Sequence, residues 1–476
     1  MKIGIVASEA VPFVKTGGLA DVAGALFNVY NKEGNETYLF LPLYKTIKNV
    51  PYDLKKEGGI QIRIGSQDIK GNIFSKEMEN GKTLVLIEQD YYFGRDSLYG
   101  TSKGDYADNA ERFGYFDIAV LKAIELMKID IDVLHLNDWQ TGLIPLFIRD
   151  KNLPIKTLFT IHNLGYQGNF TQGILDLLHI DRKYFNPEGF EFYSNVSFLK
   201  SGIVYSDYIS TVSPTYAREI RTKEYGAGMD GILNARKNRL IGILNGIDYS
   251  AWNPETDKLI YENYSVETIS GKEKNKIQLG SALHFEMGNK PLFGMVSRLA
   301  AQKGIDIFVE ALKEFLNEDI RVVLLGTGSE ELENALIALQ KKFPTKLKAL
   351  IKFDETVAHR IYAASDFFVM PSKYEPCGLG QLIALKYGAV PVVRETGGLK
   401  DTVDNYNEVT HCGNGITFIE SSKEDLTKAL EKAKDIYKNK TLYKQIQRTG
   451  MQCDFSWERS AKQYIDLFKK LIGDKK

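Results

Sequence analysis

Residues 371–401 read PSKYEPCGLGQLIALKYGAVPVVRETGGLKD, and the order of elements in this stretch decides the fold. The apolar run Phe367, Phe368, Val369, Met370 ends at Pro371, as a buried strand does. The loop Tyr374-Glu375-Pro376-Cys377-Gly378-Leu379-Gly380 comes next. Residues 381–387 predict a helix stopped by Gly388, and 390–393 a second strand. Arg394-Glu395-Thr396-Gly397-Gly398 is a second loop. Two successive strands thus each end in a loop rich in glycine and charge. In a parallel α/β sheet both loops lie at the carboxyl edge, where ligands bind. Glycine loops at helix starts offer backbone N–H groups to an anion. Glu375 adds a carboxylate suited to hydroxyls. The same glycines also serve ordinary turns, so a purely structural reading stays open on this stretch alone.

The rest of the chain bounds what such a site can do. Its 476 residues suffice for two or three domains, and 43% hydrophobic with 26% charged residues is the balance of a globular enzyme. Lys+Arg and Asp+Glu are both 61. No basic excess points to nucleic acid or a membrane surface, so any phosphate site is local. Cys377, Cys412 and Cys453 show no CxxC spacing, which fits a reducing cytoplasm and argues against a disulfide scaffold or structural zinc. Residues 1–10 read as a strand rather than a signal peptide, and no transit peptide is expected. No apolar run reaches membrane-spanning length.

Other strand ends repeat the pattern. After strand 2–7, Lys15-Thr16-Gly17-Gly18 opens a helix with apolar Leu19, Val22, Ala23, Leu26 and Val29. That turn lacks GxGxxG and is not a Walker A loop, which disfavours a nicotinamide cofactor. It suits diphosphate contact through Lys15 and backbone N–H groups, or a plain turn with a solvated lysine. Residues 91–99 form an aromatic loop, either a sugar platform or a packed cover. Strand 132–139 ends in His135, Asn137 and Asp138, and strand 156–163 in His162-Asn163, without the spacing of a metal site. Strand 208–212 leads to Ser213 as a helix cap before Pro214. Residues 249–271 read as an interdomain connection. Strand 292–297 then leads to Arg298 and Lys303, cations facing a diphosphate or merely solvated, and residues 350–353 predict a further strand. Gly326-Thr327-Gly328 lacks a third glycine and is a weak signal.

Taken together these motifs resemble one family. KTGGLADV at 15–22, HNLGYQG at 162–168, Ser297-Arg298-Leu299 with Gln302-Lys303-Gly304, EPCGL at 375–379 and RETGGL at 394–399 look like bacterial glycogen synthase, also called starch synthase. Asn137-Asp138-Trp139, Val212-Ser213-Pro214, Asn245-Gly246-Ile247-Asp248 and Trp252-Asn253-Pro254 extend the resemblance along the whole chain. It implies a GT-B fold, two Rossmann-like doubly wound parallel-sheet domains facing across a cleft. The expected division is 1–245 for the acceptor-side domain, 246–455 for the donor domain, and 456–476 for a C-terminal helix packing back on the first.

The resemblance further implies a retaining transfer of glucose from ADP-glucose or UDP-glucose to the non-reducing end of an α-1,4-glucan, in the cytoplasm. No metal or other cofactor and no nucleic-acid or membrane partner is expected. Glu375, His162, Asp138, Arg298 and Lys303 carry the chemistry in this reading. Lys15, Gly17, Gly18, Asp21, Tyr99, Asn163, Asn245, Cys377, Gly378, Leu379 and Gly380 bind the donor with Arg298 and Lys303. No pair of carboxylates suggests the double displacement of a glycosidase. Two departures stand out. Gly380 takes a place where many members carry a hydroxyl. Ile383 stands where sucrose- and trehalose-type glycosyltransferases often have a second glutamate. The alternatives are another GT-B glycosyltransferase with a small sugar acceptor, a non-catalytic glucan-binding protein, and a dinucleotide oxidoreductase.

Overall fold

Continuous apolar runs such as Leu39, Phe40, Leu41 and Val322, Val323, Leu324 are wholly buried, as strands covered on both faces must be. The computed structural model describes residues 1–473, which fall into two units. The first comprises residues 1–212 and 217–243 with the helix Trp457–Gly473. The second comprises Ser213–Tyr216 and Leu244–Ser456.

The first unit is built on a nine-stranded sheet. Its strands are β1 (Lys2–Val6), β2 (Glu36–Pro42), β3 (Lys55–Ile64), β4 (Gln67–Met78), β5 (Lys82–Glu88), β6 (Val133–Asn137), β7 (Lys156–Ile161), β8 (Tyr208–Thr211) and β9 (Leu240–Gly242). They lie in the order β9-β8-β7-β6-β1-β2-β5-β4-β3. All neighbours are parallel except the β3–β4–β5 meander. The order reverses between β1 and β6, so a crevice opens beyond their carboxyl ends. The helix Trp457–Gly473 packs onto this unit through Tyr464 and Phe468, whose rings stand 6.2 and 5.5 Å from that of Tyr30. Burying each such aromatic stabilises by roughly 1.5–3 kcal/mol.

The second unit carries six parallel strands, β10 (Leu292–Val296), β11 (Arg321–Leu325), β12 (Leu347–Leu350), β13 (Phe367–Met370), β14 (Val390–Arg394) and β15 (Ile416–Phe418). Their order is β12-β11-β10-β13-β14-β15, that of a dinucleotide-type Rossmann sheet. Its switch point lies between β10 and β13, and the loops after these two strands hold Arg298, Lys303 and Glu375.

One open alternative is decided and two sequence expectations change. The aromatic stretch 91–99 is chiefly core: Tyr92 and Phe93 are buried on a short helix, and only the Tyr91 ring is largely exposed. The strand expected at 350–353 is the earlier β12, while Phe353 is 90% exposed. Residues 249–271 are no loose connection. Trp252 stacks on His359 with ring centroids 3.8 Å apart, Asp257 accepts from Tyr387 Oη at 2.5 Å, and Tyr264 Oη donates to the Tyr387 carbonyl at 2.8 Å. Local polarity hid these partners, which lie about a hundred residues away. Ser213 does cap its helix, accepting from Tyr216 N at 3.1 Å, and also donates to the Pro376 carbonyl at 2.6 Å.

Candidate functional site

In the second unit, the apolar β13 delivers Glu375 to the switch point. Its carboxylate is 5% exposed and accepts from Lys303 Nζ at 2.6 Å and Ser372 Oγ at 2.9 Å. Lys303 ends the loop after β10, just before Gly304, whose φ of +67° suits glycine alone at little cost. Lys303 is therefore engaged with Glu375, but an ammonium has three donors and can bridge a carboxylate and a phosphate. Arg298 is exposed, with one long contact to Gln302 Oε1 at 3.5 Å, and its guanidinium is available to an anion.

At Gly398 the structure favours the turn-forming alternative over the anion-binding one. Gly398 N–H donates to the carbonyls of Glu375 at 3.1 Å and Pro376 at 3.2 Å, so it is not open to a ligand. A methyl at Gly398 would lie 2.5 Å from Cys377 Cα. Gly397 and Gly398 let the 394–398 loop press against the backbone that carries Glu375. Gln381 holds the other side of that loop, donating from Nε2 to the carbonyls of Cys377 and Gly378, each at 3.0 Å. The Cys377 thiol is pushed up to about 12 by burial and is inert as a nucleophile. Asn245 is buried beside it, with Oδ1 lacking a hydrogen-bond partner. Leu379 precedes the helix Gly380–Lys386. A Cβ at Gly380 would stand 3.2 Å from Met370 Sδ, Phe368 and Tyr362 Oη. A hydroxyl side chain at this position would start in the packed interior, so glycine suits the surroundings.

In the first unit, the residues gather beyond β1, β6 and β7. Asp138 has φ +59° and ψ −178°, a region strongly strained for any residue with a Cβ. Its Oδ1 accepts from the His162 N–H at 2.8 Å. Asn137 donates both amide hydrogens, to the carbonyls of Val6 at 3.0 Å and His135 at 3.2 Å. That orientation turns Asn137 Oδ1 to His162 Nε2 at 2.9 Å, so Nε2 carries the hydrogen and Nδ1 keeps its lone pair. Burial lowers His162 to about 3, which keeps the imidazole neutral. Burial also raises Asp138 to about 7, against backbone hydrogen bonds that lower it. Asn163 shapes the next turn, accepting from Gly165 N at 2.9 Å. His135 is structural: its ring is fully buried between Tyr30 Oη and Thr160 Oγ1.

Glu9 is the residue sequence reasoning missed. It is 4% exposed and accepts from Thr16 N, Thr16 Oγ1 at 2.9 Å, Gly17 N at 3.1 Å and Tyr99 Oη at 3.3 Å. The Gly17 N–H expected to meet a phosphate is thus taken by a carboxylate, while a Cβ at Gly18 would meet open space. Tyr99 Oη, also 2.7 Å from Ser8 Oγ, braces Glu9 within this unit. Lys15 forms an exposed pair with Asp21 at 2.7 Å, worth at most about 1 kcal/mol and readily exchanged for a phosphate. An acid just beyond β1 and six residues before a lysine-glycine turn was the available signal. Among the described residues, no three His, Cys, Asp or Glu side chains gather as metal ligands do.

Known proteins share this architecture. Residues 2–235 match the family profile described as starch synthase catalytic domain, and 282–452 match glycosyl transferases group 1. The glycogen synthase of Syntrophotalea carbinolica is 44% identical, with 99% of each chain covered. That of Thermosipho africanus is 44% identical over the full length of both. The chain belongs to the glycogen synthase family. The catalytic domain of Starch Synthase IV from Arabidopsis thaliana, solved bound to ADP and acarbose, is similar in structure, with a TM-score of 0.90, 32% identity and 99% of each chain covered. As a glycogen synthase family member with the GT-B fold, the protein is a glucan-elongating glycosyltransferase. The oxidoreductase and binding-only readings fall away. No helix among the described residues is long and apolar enough to cross a membrane.

Proposed function

We propose that the enzyme moves glucose from ADP-glucose to the 4-hydroxyl at the non-reducing end of an α-1,4-glucan, with retention, in the cytoplasm. The observation that carries this reading is the carboxylate of Glu375, held by Lys303 and Ser372 at the switch point of the second sheet, with Arg298 on the adjoining loop. ADP is favoured over UDP because the similar starch synthase structure contains ADP, and its acarbose supports an oligosaccharide acceptor.

In this reading Arg298 and Lys303 hold the diphosphate. As the bond from C1 to the phosphate oxygen breaks, its electron pair moves onto the diphosphate, where these cations stabilise it. Glu375 accepts hydrogen bonds from donor hydroxyls and favours the positive charge that develops on the sugar. The neutral His162, with Nδ1 as acceptor, orients a sugar hydroxyl, and Asp138 fixes the His162 backbone. The acceptor oxygen bonds C1 on the face the diphosphate leaves, and its proton passes to the departing phosphate oxygen. This route uses neither a glucosyl ester on Glu375 nor a divalent ion.

The test is transfer to glycogen from ADP-glucose and UDP-glucose side by side, with and without EDTA. Preferred transfer from ADP-glucose, unchanged by EDTA, is expected. Preference for UDP-glucose would overturn the donor assignment. Loss of activity in EDTA, restored by a divalent ion, would overturn the metal-free route.

A further inference from the structure

The first unit has a second concave surface that its transfer chemistry does not use. A cavity of about 760 Å³ lies at the amino-terminal edge of the sheet. Lys156 begins β7, Ser206 and Asp207 immediately precede β8, and Arg236 and Arg239 precede β9. His162 lies past the opposite end of β7. The six residues of that strand separate the two edges by roughly 20 Å. This cavity is therefore not part of the donor site.

Its charge is lopsided in a chain whose charges balance at 61 and 61. Arg149, Lys156, Arg236 and Arg239 line it against the single carboxylate of Asp207. That carboxylate is already occupied: it accepts from Thr157 N at 2.8 Å and Thr157 Oγ1 at 3.0 Å, and Lys156 Nζ lies 3.5 Å away. Arg236 is fixed by the carbonyls of Val204 at 2.7 Å and Ser206 at 2.6 Å, yet its buried Nε has no partner. The Arg149 guanidinium makes no hydrogen bond or ion pair among the described residues. Its guanidinium stands 5.6 Å from the centre of the Tyr205 ring. Burial lowers the Arg236 pKa, and the like charges of Arg239 and Arg149 lower it further, with Asp207 opposing them. Gathering guanidinium groups this way costs free energy that an anion would return.

We propose that this cavity is a second, non-catalytic site for a small phosphate ester. The planar, multidentate donors of arginine match phosphate oxygens. Ile148, Leu153, Pro154 and Leu471 supply apolar wall for the organic part of the ligand. The volume falls in the range of roughly 300–1,000 Å³ common to small-molecule sites. Scattered solvated cations would instead project from convex surface and would not be held by main-chain carbonyls.

The experiment is calorimetric titration of the full chain with ribose 5-phosphate and, separately, inorganic phosphate, with excess ADP to fill the donor site. It is repeated for Arg149→Glu and Arg239→Glu. Both side chains are exposed and outside the transfer machinery, so glucose transfer stays within about twofold and reports that each variant is folded. Saturable binding of the ester, weakened at least about tenfold in each variant, is the expected result. Equal affinity for inorganic phosphate would also support the anion site and would name free phosphate as its source. No saturable binding of either probe would overturn the proposal. Binding that both active variants retain unchanged would overturn it too.

Discussion

Replacing Gly398 by alanine separates two reasons for a glycine in this loop. If the glycine is there to offer its N–H to a phosphate, alanine keeps the N–H and activity survives. The structure gives the other reason. The Gly398 N–H is spent on the Glu375 and Pro376 carbonyls, and a new methyl would sit 2.5 Å from Cys377 Cα. The Cys377 carbonyl oxygen would lie closer still, and ordinary contact needs about 3.4 Å or more, so the backbone carrying Glu375 must shift by at least about 1 Å. A displacement of that size at a catalytic group costs on the order of a hundredfold in rate, about 2.7 kcal/mol of transition-state stabilisation. Gly231→Ala, on the exposed face of the helix Asp230–Ala235, is the matched control, because a methyl there meets open space. Steady-state transfer from ADP-glucose to glycogen, with thermal unfolding of each variant, reads the effect. We expect Gly398→Ala to lose kcat about a hundredfold while folded, and Gly231→Ala to stay within about threefold. Near-normal kcat in Gly398→Ala would refute the close-approach argument.

Glu375→Gln keeps the side chain's shape and removes its charge. A charge about 4 Å from the developing positive sugar is worth up to about 4 kcal/mol at an effective dielectric of 20, so kcat should fall by about 10²–10³; activity within about tenfold of wild type would remove Glu375 from its role. Asp138 gives a pH signature. Its folded pKa of about 7 is raised, so its stabilising contribution is fully present below about pH 4 and is lost as pH rises through 7. Against Asp138→Asn, the wild type should lose about 3–4 kcal/mol of relative stability over that window by urea unfolding, and parallel pH profiles would contradict the assignment.

Much of the fold was legible because strand ends announce themselves. The apolar run 367–370 is cut off by Pro371 and the β-rich stretch 156–161 by His162-Asn163, and the loops after such strands in a parallel sheet face ligands. Tertiary wiring was not legible. The acid-before-turn pattern at Glu9 did not reveal its burial, because beside the local Thr16 and Gly17 it is held by Tyr99, ninety residues on. Tyr264 and Asp257 sit in a polar segment whose burial depends on Tyr387 and His359. Glycines misled in a specific way. Sequence shows that Gly17 and Gly398 permit a tight turn, but not that Glu9 and the Glu375 carbonyl already hold their N–H groups. The strand at 347–350 was misplaced because apolar residues run on through Ile351 and Phe353 in KLKALIKF, which leaves the register open.

The most direct test is the product itself. The enzyme is incubated with a short α-1,4-linked maltooligosaccharide and ADP-glucose, and the new linkage is read by proton NMR beside the ADP released. One α-1,4-linked glucose gained at the non-reducing end for each ADP is the predicted result. A β linkage, a different position, or free glucose in place of an elongated chain would contradict the account.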